Sequence, residues 1–274
     1  MIPEPEARQA TRPEPGAGPG ARPGLRDEVA EAANVLARLG LVTAYGHVSA
    51  RAGESMLITP AADLALVTGS GVIEVPLAAS ARPTGKLPTG APAEAWAHLA
   101  LYHARPDAAA IARAQPASAF AAAAAATSLV PLHGQAAWLG ESVPVHDGAV
   151  LLRSPELAES AARSLPAGEA LLLRGNGALT LGATAGIAVA RMWLLAAACD
   201  VYLAAHTAAH TGAAGPVTPL SAAEVASWRA VRDELLPRLW QHLLRRAGPS
   251  EVRPSEVGPS QVGPAGAGQE EGKG

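Results

Sequence analysis

The sequence predicts a three-layer α/β/α domain around a central mixed, largely antiparallel sheet. Three observations carry this expectation. Helical and strand patterns alternate along the middle of the chain, which favours an α/β architecture. A strong hairpin signal, Asn176-Gly177, joins two apolar runs, which argues against a purely parallel sheet. Hydrophobic residues make up 49% of the 274 residues, with one Phe and three Tyr. The apolar content is mostly Ala, Leu and Val, so helices with small contact residues are expected to pack closely.

The elements follow in order. Leu25 to Leu39 reads as a helix, because Val29, Ala32, Leu36 and Leu39 recur at helical spacing and Gly40 ends it. The stretch Gly40 to Arg51 is assigned neither helix nor strand, and His47 sits in its glycine turn. Leu57-Ile58-Thr59 and Val72 to Val75 read as strands, and Ala93 to Ala104 as a helix that stops before Arg105-Pro106. Ala108 to Ala114 is a short apolar strand and Ser118 to Ala126 an Ala-rich helix. Val143-Pro144-Val145 is a short strand whose proline suggests a sheet edge. Ser154-Pro155-Glu156 opens a helix, with Ser as N-cap, Pro at the first helical position and an acid in the first turn. Glu169 to Arg174 and Ala178 to Leu181 are the hairpin strands. Thr184 to about Ala205 is a long helix, and Val225 to Leu244 another, with an interruption at Pro237.

Residues 25–247 therefore form the expected globular block. Residues 1–24 are dense in Pro, Gly, Ala and charge and are expected to be disordered. Residues 248–274 carry a degenerate five-residue repeat with a proline in each unit, read as a second disordered tail. The net charge of −3 creates no field that would attract nucleic acid or an anionic membrane surface. No run approaches the roughly 20 uninterrupted apolar residues of a membrane span. The N-terminal residues lack the apolar run of a secretory signal. The one cysteine, Cys199, cannot form an internal disulfide, so the expected compartment is the cytoplasm. It lies in an apolar helix, as a core residue rather than a nucleophile.

Four motifs stand in order along the block. They are Gly46-His47-Val48-Ser49-Ala50-Arg51, then Leu57-Ile58-Thr59-Pro60, then Glu94 with His98 followed by Tyr102-His103-Ala104-Arg105-Pro106-Asp107, and finally Arg174-Gly175-Asn176-Gly177 followed by Gly182. Together they resemble the class II aldolase/adducin family over Leu25 to about Ala214. The resemblance implies a homo-oligomer, a tetramer in many members. It also implies a divalent ion, commonly zinc, held by three histidines, and cleavage of a carbon–carbon bond beside a carbonyl, with a Glu moving the proton. Non-catalytic adducin heads share the fold.

Carried over residue by residue, the resemblance places the zinc histidines at Arg113, Gln115 and Asn176, or the third at Gly177 with Asn176 matching the family's Asn; either alignment loses the histidine. Arg offers no lone pair, and amide oxygens are poor zinc ligands, so no zinc and no other cofactor is expected at those positions. The resemblance places the proton-moving Glu at Glu94. Its phosphate-binding positions have drifted to His47, Ala61-Ala62 and Pro92-Ala93, which removes donors a sugar phosphate needs. The expected catalytic set is thus Glu94, Arg113, Gln115 and Asn176, with Glu94 and Arg113 paired. The expected substrate-binding set is Gly46, His47, Thr59 and His98. Two functions follow as expectations. One is a metal-independent lyase or decarboxylase acting on a small carbonyl or carboxylate compound. The other is a pseudoenzyme serving as a binding or oligomeric scaffold. A metal held instead by Glu94, His98 and His47 is a third, weaker option. Neither nucleic acid nor membrane is an expected partner.

Overall fold

The protein is described by a computed structural model covering residues 24–77 and 86–248. Apart from Gly24 and Gly248, the two expected tails lie outside the described residues. Among the described residues, eight strands form one sheet in the order β3-β2-β1-β4-β8-β7-β6-β5. The strands are β1 (His47–Ala52), β2 (Ser55–Ile58), β3 (Ile73–Pro76), β4 (Ala110–Ala114), β5 (Ser128–Leu129), β6 (Val143–His146), β7 (Ala170–Leu173) and β8 (Gly177–Gly182). Neighbours pair antiparallel except β6 with β7, which run parallel. The sheet is mixed and largely antiparallel, as the sequence predicts.

The described residues also form seven α-helices. They are α1 (Leu25–Arg38), α2 (Ala95–Ala104), α3 (Ala117–Ala125), α4 (Pro155–Arg163), α5 (Ala185–His210), α6 (Ala222–Ala230) and α7 (Arg232–Ala247). Strand alternation divides the core into two layers. Val48, Ala50, Ala110, Ala112, Ala114 and Ala178 face a core shared with α1, α3, α5 and α7. Ile111, Leu179, Leu181, Leu171 and Leu173 face a second core under α2 and α4. The small side chains of the first face let α5 lie close to the strands. Helix α5 is long and apolar enough by length and composition to cross a membrane. Here it is a core helix, buried along Ala185–Cys199 against the sheet. Burial pushes the Cys199 thiol up to about 12, so it is no nucleophile at neutral pH.

Four sequence readings change. First, residues 47–52 form the strand β1, where the sequence assigns neither helix nor strand. Second, Pro144 does not mark the edge, because the two-residue strand β5 lies outside β6. That pairing tolerates a proline, since the Val145 N–H supplies a bond to the Thr127 carbonyl. Third, α5 runs to His210, past the expected end near Ala205. Fourth, the last helical stretch breaks at Val231, not at Pro237, which lies inside α7. At the break, Trp138 Nε1 donates to the Trp228 carbonyl at 2.8 Å, which engages an acceptor that helix continuation through residue 232 would use.

Candidate functional site

Strand register builds the site from the α2/α4 face of the sheet. His47 on β1 stands opposite Arg113 on β4, and Ser49 stands opposite Ile111. Period-two alternation therefore puts His47, Ser49, Ile111 and Arg113 on one face, under helix α2. Glu94 is the N-cap residue of α2, and His98 lies one turn later on the same helical face. The β7–β8 hairpin brings Asn176 to the end of β4. Gly177 makes this approach possible: its φ is +82°, and a Cβ there would fall 2.2 Å from the Ala114 carbonyl oxygen. Gly46 serves the same purpose on the other side. A Cβ on it would meet Val42 Cγ1 at 2.5 Å and the Arg113 carbonyl oxygen at 3.1 Å.

Arg113 is 3% exposed. Its guanidinium donates to the Asn176 carbonyl at 3.2 Å and, more closely, to Asn176 Oδ1. Asn176 Nδ2 in turn donates to the Val150 carbonyl at 3.3 Å. Burial lowers the Arg113 pKa, and the Glu94 charge opposes that shift. The expected direct Arg113–Glu94 pair is not formed. Glu94 binds Arg153 instead, Nε to Oε1 at 3.2 Å, and its Oε2 lies 3.9 Å from His47 Nε2. The physical reason is reach: the loop between β6 and α4 delivers Arg153 to the partly exposed start of α2, while Arg113 is turned into the hairpin. Glu94 acts on Arg113 through its field.

The two histidines are packed together, with ring centroids 5.7 Å apart in an edge-on arrangement. Burial pushes the His47 pKa well below its usual range, assisted by His98 and Arg113. Burial and then the Arg113 charge lower that of His98 to about 3. Both rings are neutral at pH 7. His98 Nδ1 contacts Ser49 Oγ at 2.7 Å, while His98 Nε2 and His47 Nδ1 are buried without a hydrogen-bond partner.

The remaining expected residues are placed differently. Thr59 is fully buried, but its hydroxyl accepts from the Val48 N–H at 3.2 Å, tying β1 to the end of β2. Gln115 follows β4 and is anchored through its backbone N–H to the Leu41 carbonyl at 3.1 Å. Its side chain packs at Gly177, where an added Cβ would lie 2.9 Å from Gln115 Cγ. Arg153 and the Val150 carbonyl are site groups that the sequence reading does not find. The loop that delivers them carries no periodic signal.

A divalent ion does not fit this set. One member of the expected ligand triad is a charged guanidinium already bonded to Asn176, and the other two members are amides. The option of Glu94, His98 and His47 fails as well. Among the described residues no three His, Cys, Asp or Glu side chains converge to hold a metal, and the Arg113 cation stands beside both rings.

Comparison with known proteins gives a consistent result. The profile of the Class II Aldolase and Adducin N-terminal domain matches residues 27–203. An L-fuculose 1-phosphate aldolase structure superposes with a TM-score of 0.68 at 22% identity, covering 79% of this chain and 100% of that one. An aldolase II superfamily protein from Pseudomonas syringae gives 0.66 at 22% identity, covering 81% and 91%. The L-fuculose-1-phosphate aldolase of Thermus thermophilus gives 0.60 at 28% identity, covering 70% and 98%. No curated protein matches the chain significantly.

Proposed function

The chain belongs to the class II aldolase and adducin family, and on that premise we propose that it is a metal-independent carbon–carbon lyase or decarboxylase acting on a small carbonyl or carboxylate compound. The observation that carries the proposal is a charged guanidinium, Arg113, buried at the end of β4 beside a carboxylate and two neutral imidazoles. Two of the imidazole nitrogens are buried without partners. A charge buried in this way is costly unless something at the site uses it.

In the proposed reaction the ligand oxygen meets the Arg113 guanidinium, with the Asn176 and Gln115 amides beside it. The bond between the carbonyl's α-carbon and its next neighbour breaks, and the electron pair moves onto the carbonyl oxygen as an enolate. Arg113 stabilises the developing negative charge, the work a metal does elsewhere. For a retro-aldol cleavage, Glu94 removes the hydroxyl proton and returns it to carbon. For a decarboxylation, carbon dioxide leaves and Glu94, protonated beforehand, delivers a proton to the carbanion. Arg153 would hold Glu94 in place, and His47, His98, Gly46 and Thr59 would shape the ligand's surroundings. The family resemblance supports a homotetramer, the single cysteine a cytoplasmic location, and the net charge of −3 a protein without a nucleic-acid or anionic-membrane partner.

A second reading draws on a specific observation. Arg113 already has Asn176, and Glu94 already has Arg153, so both charges have protein partners without a ligand. That arrangement suits a non-catalytic scaffold. A turnover screen across 2-oxo acids and hydroxy-carbonyls, with wild type and Glu94→Gln, separates the two. The lyase reading expects one compound to be cleaved by the wild type, with kcat about 10²–10⁴-fold lower in the variant. Turnover unchanged by the substitution overturns the role of Glu94, and no turnover of any compound favours the scaffold.

A further inference from the structure

A buried hydrogen-bond chain lies directly behind the site, and of its members only His98 enters the reaction just described. Ser49 Oγ is 2.7 Å from His98 Nδ1 and 2.9 Å from Tyr102 Oη. All three side chains are buried, with Ser49 and His98 at 0% and Tyr102 at 2% exposure. Arg51 holds the far end. It donates to the Tyr102 carbonyl at 2.8 Å and the Ala108 carbonyl at 3.1 Å, and its guanidinium lies 4.7 Å from the centroid of the Tyr102 ring.

Proton counting fixes the polarity of this chain. In one direction the Tyr102 hydroxyl donates to Ser49, the Ser49 hydroxyl donates to His98 Nδ1, and the histidine's own proton stands on Nε2. Both hydroxyl protons are then used, and the only unsatisfied donor of the three side chains is Nε2–H. In the opposite direction Nδ1–H donates to Ser49 and Ser49 donates to Tyr102. The Tyr102 hydroxyl proton then has no acceptor among the described residues, and Nε2 is left as a bare acceptor. Each buried polar group without a partner costs on the order of 1–3 kcal/mol, so the first direction is favoured.

We propose that Tyr102 and Ser49 form a fixed two-hydroxyl relay that holds His98 as the Nε2–H tautomer, making it a neutral donor to an oxygen of the ligand at Arg113. The inference rests on the functional reading above and deepens it. Nε2 is buried without a partner, on a ring packed edge-on against His47 and within the Arg113 field. A donor in that place selects a carbonyl, enolate or carboxylate oxygen and disfavours a cation or an amine. The ligand class narrows to compounds with two neighbouring oxygens, one for the guanidinium and one for the imidazole, such as 2-oxo acids and α-hydroxy carbonyls that also carry the β-hydroxyl or the carboxylate on the α-carbon that the cleavage needs. Ser49 and Tyr102 are positioning residues, acting only through His98.

The test uses ¹⁵N NMR of the histidine rings in the full-length protein, with His98 assigned by its loss in His98→Gln. Oxalate, a planar mimic of a two-oxygen enolate, serves as the probe. The expected result is a bare Nδ1 and a protonated Nε2 on His98 at neutral pH, with the Nε2 signals shifting as oxalate saturates. Ser49→Ala and Tyr102→Phe should weaken oxalate binding about tenfold, the equivalent of one hydrogen bond, and Ser49→Thr should restore it. A proton on Nδ1, or Nε2 signals that ignore bound oxalate, overturns the inference. If oxalate binds and Arg113→Met abolishes binding while Ser49→Ala does not weaken it, the relay fails and the functional reading stands. If oxalate does not bind the wild type, the functional reading fails and takes the ligand half of this inference with it. The tautomer in the free protein still decides the relay.

Discussion

Lowering the pH from 7 to 5 should destabilise this protein through two particular histidines. His47 and His98 are buried as neutral rings, with pKa values depressed, that of His98 to about 3. Unfolding exposes both rings to water, where they titrate near 6.5. Below that value the unfolded chain binds protons that the folded chain refuses. Stability from this source is therefore fully present above about pH 6.5 and is lost as the pH falls toward the folded values. For His98, with the usual unfolded pKa and a folded value of about 3, the loss between pH 7 and pH 5 is about 2 kcal/mol, and His47 adds a loss of the same sign. That is a large part of a typical stability of roughly 5–15 kcal/mol. The assay is urea denaturation at pH 7, 6 and 5 on wild type, His47→Asn, His98→Gln and the double variant. His133 and His146, whose pKa values burial also lowers, are common to all four proteins and cancel in the differences. His98→Gln should remove about 2 kcal/mol of the loss linked to this pair, His47→Asn a further part, and the double variant nearly all of it. A double variant that loses stability with falling pH as steeply as the wild type would refute the assignment of neutral buried rings.

Two further variants probe other parts of the structure. Replacing Arg113 and Asn176 together by Met and Leu should leave stability unchanged or raise it by about 1–4 kcal/mol while abolishing oxalate binding, because a buried charge kept for function is not the most stable filling. Thermal and urea unfolding would measure this, and marked destabilisation would identify the pair as structural. Gly177→Ala should destabilise the fold by more than about 1–3 kcal/mol, since its φ is +82° and the new Cβ would lie 2.2 Å from the Ala114 carbonyl oxygen. An alanine variant with unchanged unfolding would show that the hairpin does not approach β4 so closely.

Much of the architecture is legible in the sequence because it depends on local signals. Asn176-Gly177 announces a hairpin, and Ser154-Pro155 announces a helix whose Ser154 hydroxyl accepts from the Leu157 N–H. Strand β1 is hidden for a physical reason. Its core-facing residues Val48, Ala50 and Ala52 are small, and its other face is His47, Ser49 and Arg51, so alternation does not look apolar. That polar face is covered by α2, which no short window of sequence reveals. The helix break at Val231 is equally hidden, because Trp138, distant in sequence, engages the Trp228 carbonyl.

The site is legible as a set of residues but not as a set of bonds. Motif order brings Glu94, His98, Arg113 and Asn176 to one place, and register puts His47 beside them. The choice of partners depends on a loop. Arg153 reaches Glu94 from 59 residues away, and nothing in the local sequence of either marks the contact. With Glu94 so engaged, Arg113 turns to Asn176. The Ser49–His98–Tyr102 chain is half visible, since His98 and Tyr102 share a helical face, but Ser49 joins them only through β1, whose sequence reads as neither helix nor strand.

The central claim is that the guanidinium of Arg113 occupies the place where the family resemblance puts a metal. Equilibrium dialysis of the purified wild-type protein against zinc, beside the triple variant Arg113→His, Gln115→His and Asn176→His, tests it most directly. The expected result is no stoichiometric zinc on the wild type and one tightly held ion on the variant. One zinc per wild-type chain, lost when Asn176 is changed to Ala, would contradict the claim.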